Sequence, residues 1–192
     1  MNPDMSEKKN SGWQTFREWL QTIIIALIIA LPIRYFIAEP FIVSGASMDP
    51  TFASGQFLIV DRLSYRFEEP KRNDVIVFKY PNNPSVYYIK RIIGLPGDTV
   101  NVGDGIITIT NQANPNGFVL DQSYLAQNHL ARDTFEVELK SSEYFVMGDN
   151  RNQSSDSRIW GALDRKLIVG RPVIRLLPVP VISLWPGEDK IQ

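Results

Sequence analysis

The hydrophobic pattern divides the chain into an unbroken apolar run and a long region of short alternating segments. Every position from Ile23 to Leu31 is apolar, and the run with its flanks covers residues 19–38. A helix of about 20 residues spans the ~30 Å hydrocarbon core of a bilayer. The pattern therefore predicts a transmembrane anchor at 19–38, preceded by an N-terminal segment, 1–18, and followed by a globular domain, 39–192.

Two other interpretations of the apolar run fit less well. A buried core helix would carry polar residues on one face, and Ile23–Leu31 carries none. A cleavable signal peptide would agree with Lys8 and Lys9 before the run, and Ser44-Gly45-Ala46 resembles a small-x-small cleavage site. That site lies well beyond the run, which favours an uncleaved signal anchor.

Positive charge on the N-terminal side predicts the orientation of the anchor. Lys8, Lys9 and Arg17 precede the apolar run, and such residues are retained in the cytoplasm. Residues 1–18 are therefore predicted to be cytoplasmic and residues 39–192 extracytoplasmic.

The remainder of the chain has the pattern of a mostly β domain, an antiparallel sandwich or open barrel. Short segments rich in β-branched and aromatic residues alternate with clusters of Pro, Gly, Asn and Asp. One helical turn is predicted at 162–167, residues 111–133 form a polar excursion, and the proline-rich 176–186 continues a core strand into a tail that touches the bilayer. The predicted strands are 56–60, 74–79, 86–93, 99–102, 106–110, 135–139, 144–147 and an apolar run at 168–177.

Composition removes several classes of function. The 192 residues carry a net charge of −1, which gives no basic excess for nucleic acid. Cysteine is absent, which excludes disulfides, thiol nucleophiles and Cys-based zinc sites. The single histidine, His129, lies in a polar stretch and is interpreted as a solvated loop residue. We therefore predict neither a metal nor a cofactor.

Three distant segments carry candidate chemistry. The first, Ser44–Thr51, is a loop with glycine and proline that presents Ser47 just after the anchor. The second, 87–98, places Tyr88, Lys90 and Ile92 on one face of a strand and Arg91 on the other. Lys90 there is either a snorkelling edge residue or a buried amine whose pKa is lowered by desolvation.

The third segment, 147–161, is a polar loop after an apolar strand. It contains Asp149, Ser154, Asp156 and Arg158. It is either a solvated hairpin loop with surface ion pairs or a set of residues that orients other groups through Asp–Arg pairing and hydroxyl bonds.

In order and spacing, these segments resemble the bacterial type I signal peptidases, a family of Ser–Lys serine proteases. The resemblance rests on Ser-Met-Asp-Pro-Thr at 47–51, Lys-Arg-Ile-Ile-Gly-Leu-Pro-Gly-Asp at 90–98 and Gly-Asp-Asn-Arg-x-x-Ser-x-Asp-Ser-Arg at 148–158. With the anchor and the 73–78 strand, it covers most of the chain.

The resemblance implies a role for each matching residue. Ser47 is the nucleophile, and Lys90 is the general base that replaces histidine. Ser154 is expected to bond the Lys90 amine, and Asp156 and Arg158 to form an ion pair that shapes the site, with Asp149 in support. The reaction implied is cleavage of a preprotein through an acyl-enzyme.

One position departs from part of the family. One subgroup has a hydroxyl residue two positions before the nucleophile and uses it in the oxyanion hole, where this chain has Gly45. Ser44 is one residue too early, so the Ser47 backbone N–H is the expected donor, with Gly45 allowing close approach.

The resemblance also implies the substrate and the surroundings. Signal peptides of preproteins would be cut after small-x-small sites, near the translocase and at the bilayer surface, by a single-pass protein of the bacterial cell membrane. The candidate substrate-binding residues are Phe41, Ile42, Met48, Tyr88 and Ile92. The alternatives are a conjugation-type maturation peptidase, a self-cleaving repressor-type Ser–Lys protease and a catalytically silent peptide-binding domain. The anchor argues against the repressor type, and the presence of both Ser47 and Lys90 argues against the silent domain.

Overall fold

The structure, a computed structural model, describes residues 11–32, 37–125 and 134–187. The chain separates into two compact units that divide between Ile37 and Ala38. His129 lies outside the described residues.

The first unit contains helix α1, Ser11–Pro32. By length and composition, its stretch Gly12–Pro32 could cross a membrane, with a mean hydropathy of 1.4. At 1.5 Å per residue this stretch is about 31 Å long. The helix begins eight residues before the predicted anchor and ends at Pro32, whereas Ala38 belongs to a strand. Ala38, the last residue of the predicted anchor, pairs with Asp61 of β2 and belongs to the second unit.

The second unit is built from antiparallel strands, which confirms the mostly β fold class. The larger sheet has the order β1-β2-β11-β3-β4-β9-β10, with β12 paired to β11, and the smaller sheet has the order β7-β6-β5-β8. The strands are β1 Ala38–Ile42, β2 Phe57–Asp61, β3 Val75–Tyr80, β4 Asn83–Gly94, β5 Thr99–Gly103, β6 Ile106–Asn111, β7 Asn114–Val119, β8 Phe135–Glu138, β9 Glu143–Met147, β10 Leu163–Asp164, β11 Ile168–Leu177 and β12 Ser183–Leu184. A four-residue helix, α2, spans Ser157–Trp160.

Each strand predicted from alternating hydrophobicity is present within a few residues of its predicted bounds. Strands β1, β7 and β12 and helix α2 were not predicted. The first residue of β1, Ala38, was assigned to the anchor. Strand β7 lies in the polar excursion at 111–133, β12 in the predicted tail at 176–186 and α2 in the polar loop. The predicted helical turn at 162–167 is a short strand followed by one 3₁₀ turn, Arg165–Leu167.

Three buried clusters fix the positions of the chemical segments. One lies between the smaller sheet and the ends of β4 and β9, and a second covers one face of β3, β4 and β9. The third consists of Val43, Met48, Phe52, Leu58 and Val75. Because Met48 and Phe52, which both follow Ser47, are fully buried, hydrophobic packing holds the nucleophile loop on the sheet.

Candidate active site

Ser47 and Lys90 are brought together from positions 43 residues apart. The Lys90 Nζ lies 2.6 Å from the Ser47 Oγ and 2.9 Å from the Ile89 carbonyl oxygen. The same separation serves both protonation states, since an ammonium donates to the hydroxyl and a neutral amine accepts its proton. The pair has the geometry that a nucleophile and its general base require.

The Lys90 amine is buried, which answers the question that the sequence left open. Only 3% of the residue is exposed. Burial lowers the pKa of Lys90 to about 8, although the charges of Asp156 and Asp149 partly oppose the shift. The Tyr88 ring, 5.3 Å from the Nζ, also favours the charged amine. The effect of desolvation on the pKa is larger than that of these charges, so a substantial fraction of the amine is neutral near physiological pH.

Asp149 is held by Arg91, a partner that the sequence analysis did not assign. The Arg91 guanidinium donates from Nε to Oδ1 at 2.9 Å and from Nη2 to Oδ2 at 2.7 Å. Both side chains are buried. Alternation had already placed Arg91 on the face opposite Lys90, within an apolar strand, and a buried guanidinium requires a carboxylate. That requirement was the signal available in the sequence.

The predicted ion pair between Asp156 and Arg158 is confirmed. Arg158 donates from Nε and Nη2 to the two oxygens of Asp156 at 2.8 and 2.9 Å. The same carboxylate accepts the Gly148 N–H at 3.1 Å and caps α2. Removing one partner of such a buried pair typically costs about 3–5 kcal/mol. Asp156 thus fixes both ends of the loop that faces the dyad.

Ser154 does not make the hydrogen bond to the Lys90 amine that the resemblance implied. Its Oγ is buried and makes no hydrogen bond to any described residue, and the Lys90 amine bonds Ser47 and Ile89 instead. The backbone at Ser154 is extended, so successive side chains point to opposite sides. Gln153 and Ser155 line the cleft beside Ser47, whereas Asn152 and Ser154 line a separate cavity.

Two glycines shape the site, Gly45 by its backbone conformation and Gly148 by a close approach. Gly45 has φ +92°, in the left-handed region that favours glycine, and its N–H donates to Ser54 Oγ. A Cβ at Gly148 would lie 2.3 Å from the Ser47 carbonyl oxygen and from the Ser154 hydroxyl. The nucleophile turn and the polar loop therefore approach each other only because residue 148 has no side chain.

A cleft of about 410 Å³ opens beside the dyad. Three of the candidate substrate-binding residues, Phe41, Ile42 and Tyr88, line it together with Ser44 and Gly45. Met48 and Ile92 are fully buried in core clusters, which corrects their assignment to the cleft. The cleft residues that were missed are Val43, Ala46, Leu58, Val77, Val86, Tyr87, Ile89, Gln153 and Ser155.

The chain is similar to proteins of one known family. The family described as "Signal peptidase, peptidase S26" matches residues 16–177. The chain belongs to this family. A probable signal peptidase I-2 of Synechocystis is 37% identical over 191 residues, covering 96% of this chain and 84% of the relative. A signal peptidase I of Bacillus licheniformis is 38% identical over 174 residues, covering 85% and 90%.

A solved structure was also matched. The crystal structure of a signal peptidase I from Enterococcus faecalis is 30% identical, covers 54% of this chain and 97% of its own, and has a TM-score of 0.44. The assignment to the family rests on the family match and the two relatives. The family match and the two relatives favour a signal peptidase over the conjugation-type alternative.

Proposed function

We propose that this chain is a signal peptidase I that uses Ser47 as nucleophile and Lys90 as general base. The observation that carries the proposal is the 2.6 Å contact between a buried amine and a hydroxyl that both line one cleft. Neutral Lys90 takes the Ser47 proton as Oγ attacks the scissile carbonyl. The resulting ammonium protonates the leaving amine, and water then attacks the acyl-enzyme with Lys90 again as base.

The remaining charged groups of the site are assigned supporting roles. The Asp156–Arg158 and Asp149–Arg91 pairs hold the polar loop against the dyad. The Ser47 backbone N–H is the proposed oxyanion donor, with Gly45 leaving the approach open. Ser44 also lines the cleft but does not occupy the position of the subgroup's hydroxyl residue.

A substrate strand has two backbone edges available in the cleft. The Val43 N–H donates to the Gln56 carbonyl, and the Val43 carbonyl accepts from the Gly55 N–H. Because backbone groups alternate along a strand, the N–H and carbonyl of Ile42 point to the open edge of β1. On β4, pairing with β9 covers only 91–94, which leaves the edge of 86–90 open among the described strands. Because the rings of Phe41 and Tyr87 are 5.2 Å apart, these edges face one cleft.

An extended signal-peptide segment would add to these edges by main-chain hydrogen bonds. Phe41, Ile42 and Tyr88 would then form shallow apolar pockets for small residues at the −1 and −3 positions. This arrangement supports cleavage after small-x-small sites in exported preproteins.

The substrate assignment is tested with a purified full-length chain in detergent. A preprotein with one Ala-x-Ala site is expected to be cut once, directly after the second alanine, as read by N-terminal sequencing of the product. A matched preprotein with leucine at the −1 position should remain intact, because a shallow pocket cannot hold it. Cleavage of both preproteins alike, or of neither, would contradict the proposal.

The proposed location is the bacterial cell membrane, with α1 as a single-pass anchor and residues 39–192 on the extracytoplasmic side, near the translocase. Lys8 and Lys9 precede α1 and Arg17 lies in its N-terminal half, which supports this orientation. In the second unit, 176–185 carries exposed apolar side chains and no charge. They are Leu176, Leu177, Val179, Val181, Ile182, Leu184 and Trp185. We propose that this segment contacts the bilayer.

Trp185 reports on that contact. In a chain with Trp13 and Trp19 replaced by Phe, reconstituted in vesicles, brominated lipids are expected to quench Trp185, because an indole prefers the interface. The remaining tryptophan, Trp160, belongs to an aromatic cluster and serves as the background in a Trp185→Phe variant. Equal quenching with and without Trp185 would show that the segment stays in water.

A further inference from the structure

Thr51, four residues after the nucleophile, is engaged through both its side chain and its backbone. Its Oγ1 donates to the Asp149 Oδ2 at 2.6 Å. Its carbonyl oxygen accepts from the Arg175 Nη2 at 2.8 Å, and the Arg175 guanidinium lies 4.9 Å over the ring of Phe52. The far end of the nucleophile turn is thus attached to the polar loop and to strand β11.

The carboxylate that receives the Thr51 hydroxyl also reaches the strand of the base. Asp149 accepts two hydrogen bonds from Arg91, the residue directly after Lys90. The next residue in the polar loop, Asn150, donates its N–H to the Ser47 carbonyl oxygen at 3.0 Å. One buried carboxylate therefore joins the nucleophile turn, the polar loop and the base strand.

We infer that Thr51 is a positioning residue that sets the Ser47 Oγ against the Lys90 amine through Asp149 and Arg91. The inference rests on the proposed Ser47–Lys90 dyad and adds a residue that touches neither of its reacting atoms. Met48 and Phe52 hold the turn by packing, but apolar contacts are not directional. The Thr51 hydroxyl supplies a directional bond from the turn to Asp149, which Arg91 joins to the strand of the base.

The expected effect follows from the tolerance of the dyad to displacement. A 1 Å error in the placement of reacting groups can cost on the order of 10²-fold in rate. Without its hydroxyl, residue 51 would leave Asp149 bonded to Arg91. The nucleophile turn would keep its backbone bonds to Asn150 and Arg175 and lose its bond to Asp149. The base would keep its place while the nucleophile would lose one of its restraints.

The charges around Lys90 supply a second readout. Asp149 and Asp156 both favour the charged amine, and each is neutralised by an arginine, Arg91 and Arg158 respectively. The Thr51 hydroxyl further spreads the charge of Asp149. Its removal is expected to strengthen the field of Asp149 at Lys90 and to move the acid limb of the pH–rate profile to higher pH.

The test compares Thr51→Val, which keeps the shape and loses the donor, with Thr51→Ser, which keeps the donor. Thr108→Val, on β6 in the smaller sheet, is the matched control. For Thr51→Val in the full-length chain, kcat on the Ala-x-Ala preprotein should fall about 10- to 100-fold with KM nearly unchanged. Its acid limb should move upward, whereas Thr51→Ser and Thr108→Val should keep the native rate and profile.

The outcomes separate this inference from the dyad itself. Wild-type kcat in Thr51→Val, or a loss that Thr51→Ser fails to rescue, would overturn the positioning role. If Thr51→Val does not fold, Thr51→Ala against Thr51→Ser makes the same comparison, with thermal unfolding recorded for each. Should Ser47→Ala retain activity, the dyad would fall, whatever the Thr51 variants do.

Discussion

Replacing Ser47 by alanine is expected to abolish preprotein cleavage while the protein remains folded. The Oγ is the only atom lost, and in the proposed mechanism it forms the bond to the scissile carbonyl. Removing a catalytic serine costs serine proteases about 10⁶-fold in kcat, so we expect a loss of at least ~10⁴-fold here. Ser47 is half-buried and Met48 carries the packing of the turn, so the unfolding temperature should change little.

The measurement is a single-turnover assay with excess enzyme, followed by separation of preprotein and mature product. Ser141→Ala is the control for the same substitution outside the cleft, because Ser141 is exposed in the turn before β9. It should cleave at close to the native rate. Residual cleavage by Ser47→Ala within tenfold of the native enzyme would assign the nucleophile to another group.

The second large effect concerns the protonation of Lys90. Burial lowers the pKa of this amine from 10.5 to about 8, against the opposing charges of Asp156 and Asp149. Only the neutral amine can accept the Ser47 proton, and its fraction falls as the pH drops below that pKa. We expect kcat/KM to rise about tenfold per pH unit below pH 8 and to level off above it. The profile should be measured in the detergent used for cleavage.

Substitutions at Lys90 distinguish its role as a proton acceptor from its role as a positive charge. Lys90→Arg keeps a cation that cannot lose its proton at these pH values and should reduce kcat by about 10²–10⁴-fold. Lys90→Met removes the amine from a buried site and should be equally inactive. It should also be more stable at pH 7, because charging this amine in the fold costs on the order of 3 kcal/mol. If the arginine variant cleaves well, lysine would serve by position and charge alone.

Alternation along single strands explains why most of the β elements could be predicted. The segments that form β3, β4 and β9 contain many β-branched and aromatic residues. Their own composition therefore predicts strands without information about neighbouring strands. Strand β1 was missed because its five residues, Ala-Glu-Pro-Phe-Ile, include a proline and follow directly on an apolar run. That strand forms because β2 pairs with it, which is tertiary information.

The same distinction holds within the site. Alternation placed Tyr88, Lys90 and Ile92 on one face of the strand. In the structure, Lys90 contacts the nucleophile, whereas Ile92 is buried in the core. Strand periodicity gives the face of a side chain but not how far the neighbouring sheet covers that face. The depth of burial along β4 depends on which of its residues β9 and β3 cover, and no local pattern contains that information.

Ser154 shows where a motif stops predicting geometry. Its place in Ser-x-Asp-Ser-Arg matches the family, but the direction of its hydroxyl depends on backbone dihedrals in a loop fixed from both sides by Asp156. The Asp156–Arg158 pair, which the resemblance implied, needs no other element, because two residues of opposite charge two positions apart can meet locally. Long-range contacts such as Arg91 with Asp149 required the fold.

A chemical rescue tests the assignment of Lys90 as the base most directly. The chain has no cysteine, so Lys90→Cys introduces a single thiol that 2-bromoethylamine converts into a lysine analogue with sulfur in the side chain. Sulfur withdraws electrons and lowers the intrinsic pKa of the amine. We predict that the unmodified variant is inactive, that alkylation restores cleavage, and that the acid limb of the restored enzyme lies below pH 8. Restored cleavage with an unshifted limb, or activity before alkylation, would contradict the assignment of Lys90 as the base.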